Sequence, residues 1–319
     1  MPEVENPRLE KTSVFQTHTV HEMEVFASER RLYFVDGYFQ SPHSYFTSQS
    51  EETRHIMVIL FSIDGMRPDG LQQADTPTMD ALIASGASTM NASSVMPSVT
   101  LPCHTSMLRG VDVSRHGITS NTFQPLARPV PSLFDVAKAA GKRTGFFYNW
   151  GELRDLCAPG SLDVGYFWND ALTPEGDWRI ARTAAAHLSE EPFDFLFVYL
   201  GYTDECGHEH GWMTPPYLDA IANADRCIAH VLDACRTAQI ETTVLVQSDH
   251  GGHGRSHGTD CAEDMRIPWI LSGKGVRQGI TINTPVRIFD TCTTLAALLD
   301  LPFAREWDGK IIAAALEPL

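Results

Sequence analysis

The sequence predicts an α/β fold with a mostly parallel central sheet flanked by helices on both faces. From residue 56 onward, apolar runs of strand length alternate with segments of helical periodicity. Continuous apolar runs are typical of strands that are buried on both faces, as in parallel sheets covered by helices. Three of the predicted strands end in acidic or polar clusters, which is also common in such sheets because their sites lie at the carboxyl ends of strands.

Five strands and five helices follow from this pattern. The strands are predicted at 56–63, 142–148, 193–200, 242–248 and 267–271, and the helices at 76–85, 131–140, 177–189, 215–236 and 287–299. Pro77 stands near the first turn of the first helix, and Gly141 follows the second. Proline at a helix start and glycine after a helix end support these boundaries.

Residues 1–55 lack this alternation, and we expect them to form an arm or edge meander of unknown role. Their one plausible strand pair is RRLYFVDGYF. The remaining residues, 56–319, are predicted to form a single domain, since a chain of 319 residues is near the size at which one core stops growing.

Charge and cysteine content exclude several classes of protein. The formal net charge is −16, from 40 acidic and 24 basic residues, so no broad basic face for a nucleic-acid polymer is expected. Seven scattered cysteines, without the close pairing of a zinc ribbon or a disulfide scaffold, indicate reduced thiols. The N-terminus does not resemble a signal peptide, and no apolar stretch approaches membrane-spanning length. We therefore expect a cytoplasmic protein that does not enter a membrane.

The three polar clusters contain the side chains that bind zinc-like ions. They are SIDG at 62–65, GYTDECGHEHG at 201–211 and SDHGGHGRSHG at 248–258. Imidazole and carboxylate are the usual ligands of such ions. Taken alone, Asp64 could cap the next element, and Asp204 with His208 could belong to a polar loop. The adjacent pair Asp249 and His250, followed by two glycines that permit a tight turn, is more specific.

These clusters occur in the order found in a known family. The chain from about residue 56 to 312 resembles the type I phosphodiesterase and nucleotide pyrophosphatase family of the alkaline phosphatase superfamily. The resemblance rests on SIDGMRPD, TPTMDALIASG and MPSVTLPCHTSMLRGVDVSRHGITSN, and then on TDECGHEHG, SDHGG, HGTDCAEDMRIPWILSGKGV, FDTCTTLAALLDLP and WDGK. It implies an alkaline-phosphatase-like fold, with residues 56–319 as the catalytic domain.

The resemblance also implies a site with two divalent ions, of which zinc is expected and manganese is the alternative. One ion would be held by Asp64, Thr100, Asp249 and His250, and the other by Asp204, His208 and His257. Asn121 would contact a non-bridging phosphoryl oxygen. His257 fits the family pattern for the last ligand, although spacing alone leaves His210 and His253 open as replacements.

Thr100 would be the nucleophile of such a site. On its own, a threonine between a strand and a helix is better explained as an N-cap. Beside a metal ion, its hydroxyl can lose a proton near neutral pH and attack phosphorus, forming a phosphothreonine that water then hydrolyses. Cys103 does not support a sulfatase, because it follows Pro102 and the Cys-x-Pro-x-Arg pattern fails.

The substrate pocket is where the chain departs from the family. Nucleotide-cleaving members often have an aromatic residue after the nucleophile. In this chain Leu101 occupies that position, from which it is expected to contact the substrate. Phe123, Tyr148, Trp150 or Trp168 could stack on a substrate instead, but each could equally belong to the core. His250 and His257 are only seven residues apart, without the usual long insertion. Residues 149–178 are therefore predicted as a substrate-facing wall or a plain surface excursion.

Together these expectations describe a two-metal hydrolase of small-molecule phosphodiesters, or of pyrophosphate or phosphonate esters. The alternatives are a phosphomonoesterase or phosphomutase of the same superfamily, and a metal-binding protein without catalysis. Oligomeric state and the natural substrate do not follow from the sequence.

Overall fold

The computed structural model describes residues 56–126 and 129–318. Within these ranges eight strands form a single sheet. They are β1 (Ile56–Ile63), β2 (Ala87–Ser93), β3 (Thr144–Tyr148), β4 (Val164–Phe167), β5 (Phe195–Leu200), β6 (Glu241–Gln247), β7 (Arg266–Gly273) and β8 (Ile280–Thr281). Their order across the sheet is β4-β3-β5-β1-β6-β7-β2-β8.

Most neighbouring strands are parallel, as predicted. The five strands from β4 to β6 run in one direction, with β1 between β5 and β6. In this register Ser62 lies opposite both Tyr199 and Gln247. β7 is antiparallel to both of its neighbours, β6 and β2, while β2 and β8 are parallel. The reversed β7 therefore starts at the edge of the sheet where β6 ends.

Helices cover both faces of the sheet, which confirms the predicted fold class. Alternate residues of β1 point to opposite faces, so Val58 and Leu60 join one buried cluster while Met57 and Ile59 join another. The ten α-helices in the described residues are α1 (Pro68–Gln73), α2 (Pro77–Ser85), α3 (Thr100–Arg109), α4 (Val113–His116), α5 (Leu133–Ala139), α6 (Pro174–Leu188), α7 (Tyr202–His210), α8 (Pro215–Thr237), α9 (Ala262–Met265) and α10 (Asp290–Leu298). Helices α3, α5 and α10 supply the first cluster, and α6 and α8 the second.

Local sequence explains where several helices begin. Proline occupies the first turn of α2, α6 and α8, where its missing N–H would have no helical partner. Ser132 and Asp135 form a capping box at the start of α5, in which each side chain accepts a hydrogen bond from the other residue's backbone N–H. These signals account for the agreement between the predicted and observed helix starts to within a few residues.

The missed elements are short or polar. Strand β2 has the sequence ASTMNAS, β4 has four residues and β8 has two, so none of them gives the apolar run that identified the other strands. Helices α1, α4 and α9 have only six, four and four residues. Helices α3 (TLPCHTSMLR) and α7 (YTDECGHEH) also lie outside the five predicted helices, and both are rich in polar residues. The 149–178 segment contains a 3-10 helix (Gly151–Leu156), β4 and the start of α6.

Two further expectations concern the chain as a whole. The predicted arm at 1–55, with its strand pair, lies outside the described residues. All seven cysteines lie inside them and are free thiols. Among the helices that the structure describes, none is long and apolar enough to cross a bilayer.

Asp177 is a buried carboxylate that joins three elements near the site. Its Oδ1 accepts hydrogen bonds from Asn149 Nδ2 at 2.8 Å and from the Tyr202 backbone N–H at 3.3 Å. Its Oδ2 is buried without a hydrogen-bond partner. Burial raises the pKa of Asp177 to about 7, against the bonds that it accepts from Asn149 and Tyr202. The folded protein therefore favours the protonated form of this side chain.

We expect Asp177→Asn to stabilise the protein above pH 7. Because the folded pKa exceeds the unfolded one, folding binds a proton between about pH 4 and pH 7, and stability falls as pH rises through that window. The variant removes that loss, on the order of 4 kcal/mol at pH 8, because a tenfold change in proton affinity corresponds to about 1.4 kcal/mol. Urea unfolding at pH 5 and pH 8 measures the difference. The exposed control Asp80→Asn should leave the pH dependence unchanged; an equal effect in both variants would contradict the prediction.

Candidate metal centre and active site

The carboxyl ends of three adjacent strands bring the predicted ligands together. Asp64 directly follows β1, Asp249 and His250 follow β6, and Asp204 lies in the first turn of α7 after β5. The connection from β6 to the reversed β7 returns to the same edge and carries His257. Sheet topology therefore assembles side chains that are far apart in sequence.

A first ligand group consists of Asp64, Asp249 and His250, all of them buried. One ligand atom from each lies within 4.8 Å of the others. His250 Nε2 is 3.3 Å from Asp64 Oδ1 and 3.3 Å from Asp249 Oδ2. Thr100 Oγ1 lies 3.2 Å from the same nitrogen. Of the four residues predicted to share one ion, Asp64, Thr100 and Asp249 thus each contact the fourth, His250.

A second ligand group consists of Asp204, His250 and His257, again with ligand atoms within 4.8 Å of one another. His257 Nε2 lies 3.6 Å from Asp204 Oδ1, and its ring stacks on that of His250 with centroids 3.8 Å apart. His250 therefore stands between the two groups, whereas the sequence assigned it to one ion only. The division of ligands between ions stays a prediction.

His208 adjoins the second group at its half-exposed side. Its Nε2 lies 3.2 Å from Asp204 Oδ2, and its ring centroid is 5.0 Å from that of His257. The hydrogen bond to Asp204 raises the pKa of His208 to about 9, despite partial burial. The predicted trio of Asp204, His208 and His257 is therefore contiguous in space.

The three histidines are oriented alike. Each one places Nδ1 against a backbone carbonyl: His208 on Arg255 O at 3.0 Å, His250 on Gly251 O at 2.8 Å, and His257 on Ser98 O at 2.8 Å. A carbonyl only accepts hydrogen bonds, so Nδ1 carries the proton and donates it. Each Nε2 therefore faces the carboxylates, which is the orientation typical of histidines that bind metals. In His208 this nitrogen carries a proton that it donates to Asp204, and a metal ion would replace that proton.

Three buried carboxylate oxygens at this edge have no hydrogen-bond partner: Asp64 Oδ1, Asp204 Oδ1 and Asp249 Oδ2. Burial, then repulsion from Asp249 and Asp204, holds the pKa of Asp64 well above its ordinary value. Burial and Asp204 likewise raise the pKa of Asp249 to about 8. Unpaired buried carboxylates are costly unless a cation compensates them. The two ligand groups thus fit divalent metal ions, and we name them together the candidate metal centre.

His250 is the most deeply buried histidine of the centre, and it is neutral. Burial, and then the neighbouring His257, lowers the pKa of His250 to about 3. The pKa of Asp204 is below its ordinary value although burial opposes this, chiefly because His208 donates a hydrogen bond to it. Neutral His250 and ionised Asp204 are thus already in the protonation state that metal binding requires.

Helix α3 begins at Thr100, and its amino end faces the candidate metal centre. The N-cap residue is Val99, and no side chain caps the helix, so Thr100 does not act as the N-cap that its local sequence suggests. Asn121 lies beside it, because its Oδ1 accepts a hydrogen bond of 3.0 Å from the Leu101 backbone N–H. Thr100, Asn121 and the amino end of α3 therefore form one side of the site.

Glycines after the Asp-His pair are required by close packing. A Cβ atom on Gly251 would lie 2.1 Å from the Glu263 carbonyl oxygen, and one on Gly252 would lie 2.2 Å from the Trp212 ring. Trp212 in turn donates from Nε1 to Gly65 O at 2.9 Å and packs edge-on against His208. Without Cβ atoms at these two positions, the loop that carries Asp249 and His250 can pack closely against Glu263 and Trp212.

Several supporting residues escaped the sequence analysis. Tyr199 donates a hydrogen bond to Asp64 Oδ2, the Gly65 N–H donates to Asp249 Oδ1 at 3.2 Å, and Ser94 Oγ donates to the Asp249 carbonyl. Tyr199 was the one with a usable signal, since it is a polar side chain near the end of the apolar strand β5. Its contact depends on the parallel pairing of β5 with β1, which the sequence alone does not specify.

The competing histidines lie elsewhere. His210 is exposed, with Nε2 3.7 Å from Glu209. His253 belongs to a separate cluster, where its Nδ1 lies 2.7 Å from Asp264 Oδ1. His104 and His116, to which the sequence assigned no chemistry, are buried and hydrogen-bonded, to Ser62 and Thr100 O and to Ser106 respectively.

The five predicted substrate residues differ in exposure, and two of them are buried. Leu101 is 1% exposed and Tyr148 is 9% exposed, so the fold gives neither a free face on which a substrate could stack. Packing explains both: Leu101 belongs to the core under α3, and Tyr148 stacks on Phe146. Trp150 is half-buried against the same core. Phe123 and Trp168 are exposed, at 38% and 44%, and Arg179 lies over the Trp168 ring.

Fold and site together define an α/β protein of the alkaline-phosphatase-like class. The type I phosphodiesterase / nucleotide pyrophosphatase family matches residues 58–140 and 128–263. The chain belongs to this family, which confirms the resemblance seen in its motifs.

Curated relatives are distant in sequence. Human ectonucleotide pyrophosphatase/phosphodiesterase family member 7 is 24% identical over 218 residues, covering 61% of this chain and 47% of the relative. Human family member 5 is 24% identical over 231 residues, covering 66% and 46%. A phosphopentomutase from Alkaliphilus metalliredigens is 23% identical over 171 residues, covering 53% and 40%. The chain spans about half the length of the curated relatives that it matches.

Solved structures share the fold. Murine ectonucleotide pyrophosphatase/phosphodiesterase 5, an inactive variant in complex with AMP, has a TM-score of 0.71 at 16% identity, covering 82% of this chain and 100% of that one. The alkaline phosphatase PafA has a TM-score of 0.74 at 14% identity, covering 84% and 100%. A phosphonate monoester hydrolase of Agrobacterium radiobacter has a TM-score of 0.65 at 15% identity, covering 82% and 78%.

Proposed function

We propose that this chain hydrolyses small-molecule phosphodiesters, or related pyrophosphate or phosphonate esters, through attack of Thr100 on phosphorus. The observation that carries the proposal is the position of Thr100 Oγ1, 3.2 Å from His250 Nε2. That nitrogen in turn lies 3.3 Å from two carboxylate oxygens that have no hydrogen-bond partner, Asp64 Oδ1 and Asp249 Oδ2. Among the residues of α3, this hydroxyl is the one presented at the helix start rather than bonded back into the helix, as the Thr105 hydroxyl is.

Two divalent ions, zinc or manganese, fit the donor set of this centre. Asp64, Asp249 and His250 would hold one with Thr100, and Asp204, His208 and His257 the other. Such ions supply acidification of a hydroxyl and neutralisation of charge on phosphoryl oxygens. The protein itself orients the three histidine ligands, because their Nδ1–H bonds to backbone carbonyls hold each imidazole ring in place without a metal ion.

The chain also provides uncharged contacts for a phosphoryl group. The amino end of α3 places backbone N–H groups and the positive end of the helix dipole next to Thr100. Asn121 lies within hydrogen-bonding distance of that helix end, so its side-chain amide is available to a non-bridging oxygen. Attack by Thr100 would form a phosphothreonine and release the alcohol, and water would then regenerate the threonine.

Charge around the site favours diesters over monoesters. A monoester carries an additional anionic oxygen, which calls for an extra cation. The two arginines nearest in sequence are already engaged: Arg67 binds Asp69 at 2.6 Å and Gly252 O at 2.9 Å. Arg109 donates to the Val130 and Leu156 carbonyls and lies 3.9 Å from Asp135. Neither guanidinium is free to bind the extra charge.

Comparing two chromogenic esters tests this proposal. We expect chelator-stripped protein reloaded with zinc or manganese to hydrolyse bis-p-nitrophenyl phosphate with kcat/KM at least about tenfold above p-nitrophenyl phosphate, the equivalent of about 1.4 kcal/mol in the barrier. Initial rates with and without metal provide the measurement. A preference for the monoester would instead support a phosphatase. Absence of metal-dependent turnover of both esters would indicate a metal-binding protein without hydrolytic activity.

A further inference from the structure

A cluster of His253, Cys261 and Asp264 lies on the connection between β6 and β7, apart from the candidate metal centre. One potential ligand atom from each residue lies within 4.8 Å of the others. His253 Nδ1 is 2.7 Å from Asp264 Oδ1 and 3.5 Å from Cys261 Sγ. The proposed function uses none of these three side chains.

Backbone and side-chain bonds hold the cluster in place. Asp264 is buried, and its Oδ2 accepts hydrogen bonds from the Thr259 N–H at 2.9 Å and the Thr259 hydroxyl at 2.8 Å, which leaves Oδ1 facing His253. His253 is fixed by paired backbone hydrogen bonds with Ser256. The Gly251 N–H donates to Asp264 O at 2.8 Å, so the two ends of the connection are joined.

We propose that His253, Cys261 and Asp264 form a further metal site that binds a zinc-like divalent ion independently of the candidate metal centre. Imidazole, thiolate and carboxylate are the ligand types that zinc takes from proteins. Tetrahedral zinc, with bonds of about 2.3 Å to sulfur and about 2.0 Å to nitrogen, places these two atoms about 3.5 Å apart. Cys261 Sγ and His253 Nδ1 already have this separation.

Modest adjustment completes the site. On binding, the His253 proton would move from Nδ1 to Nε2 through exchange with water, and the Cys261 thiol would lose its proton to solvent. His253 Nδ1 and Asp264 Oδ1 would move apart to about 3.3 Å. His253 has 47% of its side chain exposed and Cys261 is partly exposed, so an ion can enter from solvent.

Such an ion would act on the connection that carries His257. Residues 253 and 261 lie on either side of His257, and both would be tied to the buried Asp264. The ion would therefore restrain the loop that supplies one ligand of the candidate metal centre, without contacting that centre itself.

The absorption spectrum of bound Co²⁺ distinguishes this site from the candidate metal centre. The candidate metal centre contains only oxygen and nitrogen ligands, so a sulfur-to-cobalt charge-transfer band in the near ultraviolet requires a cysteine. We expect chelator-stripped protein titrated with Co²⁺ to develop this band to the intensity of one thiolate-bound cobalt per chain, within three equivalents of added Co²⁺ because the candidate metal centre also binds ions. Cys261→Ser should abolish it, and His253→Gln should weaken the cobalt affinity that it reports by at least about tenfold.

The matched control is Cys157→Ser, which removes another partly exposed thiol and should leave the band unchanged. Far-ultraviolet circular dichroism of each variant checks that it is folded. The proposal is overturned if wild-type protein at cobalt saturation shows no thiolate band, or if the band persists in Cys261→Ser. Because the readout is a sulfur signal rather than turnover, it does not depend on whether the proposed hydrolase activity is correct.

Discussion

Replacing Thr100 by alanine is expected to lower kcat/KM for bis-p-nitrophenyl phosphate at least about 1,000-fold, because the variant lacks the attacking oxygen. The substitution removes the hydroxyl that lies 3.2 Å from His250 Nε2 and leaves the carboxylates and histidines in place. Alanine is a good helix former, so the first turn of α3 should persist. Initial rates at saturating metal give the effect.

Thr105→Ala is the matched control for this experiment. It makes the same chemical change in the same helix, but the Thr105 hydroxyl donates to Leu101 O and does not face the centre. Its rate should stay within about threefold of wild type, apart from a modest loss of stability. Thr100→Ser should retain part of the activity, since serine also presents a hydroxyl. Activity of Thr100→Ala within tenfold of wild type would rule out Thr100 as the nucleophile.

His250→Ala should weaken binding of the ion that His250 would hold with Asp64 and Asp249. Its Nδ1 donates to Gly251 O, so Nε2 offers the only lone pair and can coordinate one ion, although the ring adjoins both ligand groups. Even residues that only orient a ligand are worth about 10–100-fold in metal affinity, so we expect a loss of at least about 100-fold for that ion. Isothermal titration of chelator-stripped protein with Zn²⁺ measures the stoichiometry and affinity directly.

Comparison with two other histidines makes this result specific. His257→Ala should weaken mainly one of the two binding steps, and His210→Ala, at an exposed position outside both groups, should leave both steps unchanged. If His250→Ala and His257→Ala weakened the same binding step, the assignment of these two histidines to different ions would be wrong. A loss in His210→Ala would restore that residue as a ligand.

The sequence predicted those parts of the molecule that have local signatures. Strands β1, β5, β6 and β7 were identifiable because their residues are almost all buried, which requires continuous apolar runs. Strand β2 escaped notice because it is polar and pairs with the reversed β7 rather than with a strand of the parallel run. Nothing in the local sequence specifies that reversal.

The same distinction applies to the site. Asp64, Asp204, Asp249 and His250 follow strands, so motif and topology together were sufficient to group them. The contact of Tyr199 with Asp64 and the stacking of His250 on His257 depend on strand register and on the return of β7. At Leu101 the sequence was misleading. Its place after Thr100 suggested a substrate contact, but helical geometry turns its side chain into the core.

The reversed strand β7 also bears on the order in which the centre can assemble during folding. His250 and His257 both lie on the connection between the consecutive antiparallel strands β6 and β7. Their rings therefore meet across only seven residues of chain. Gly65 and Asp249, in contrast, meet across 184 residues of chain. Contacts of low sequence separation lose less loop-closure entropy and form sooner. The β6–β7 hairpin therefore supplies the histidine half early, and a complete ion-binding site exists only after β1 docks between β5 and β6.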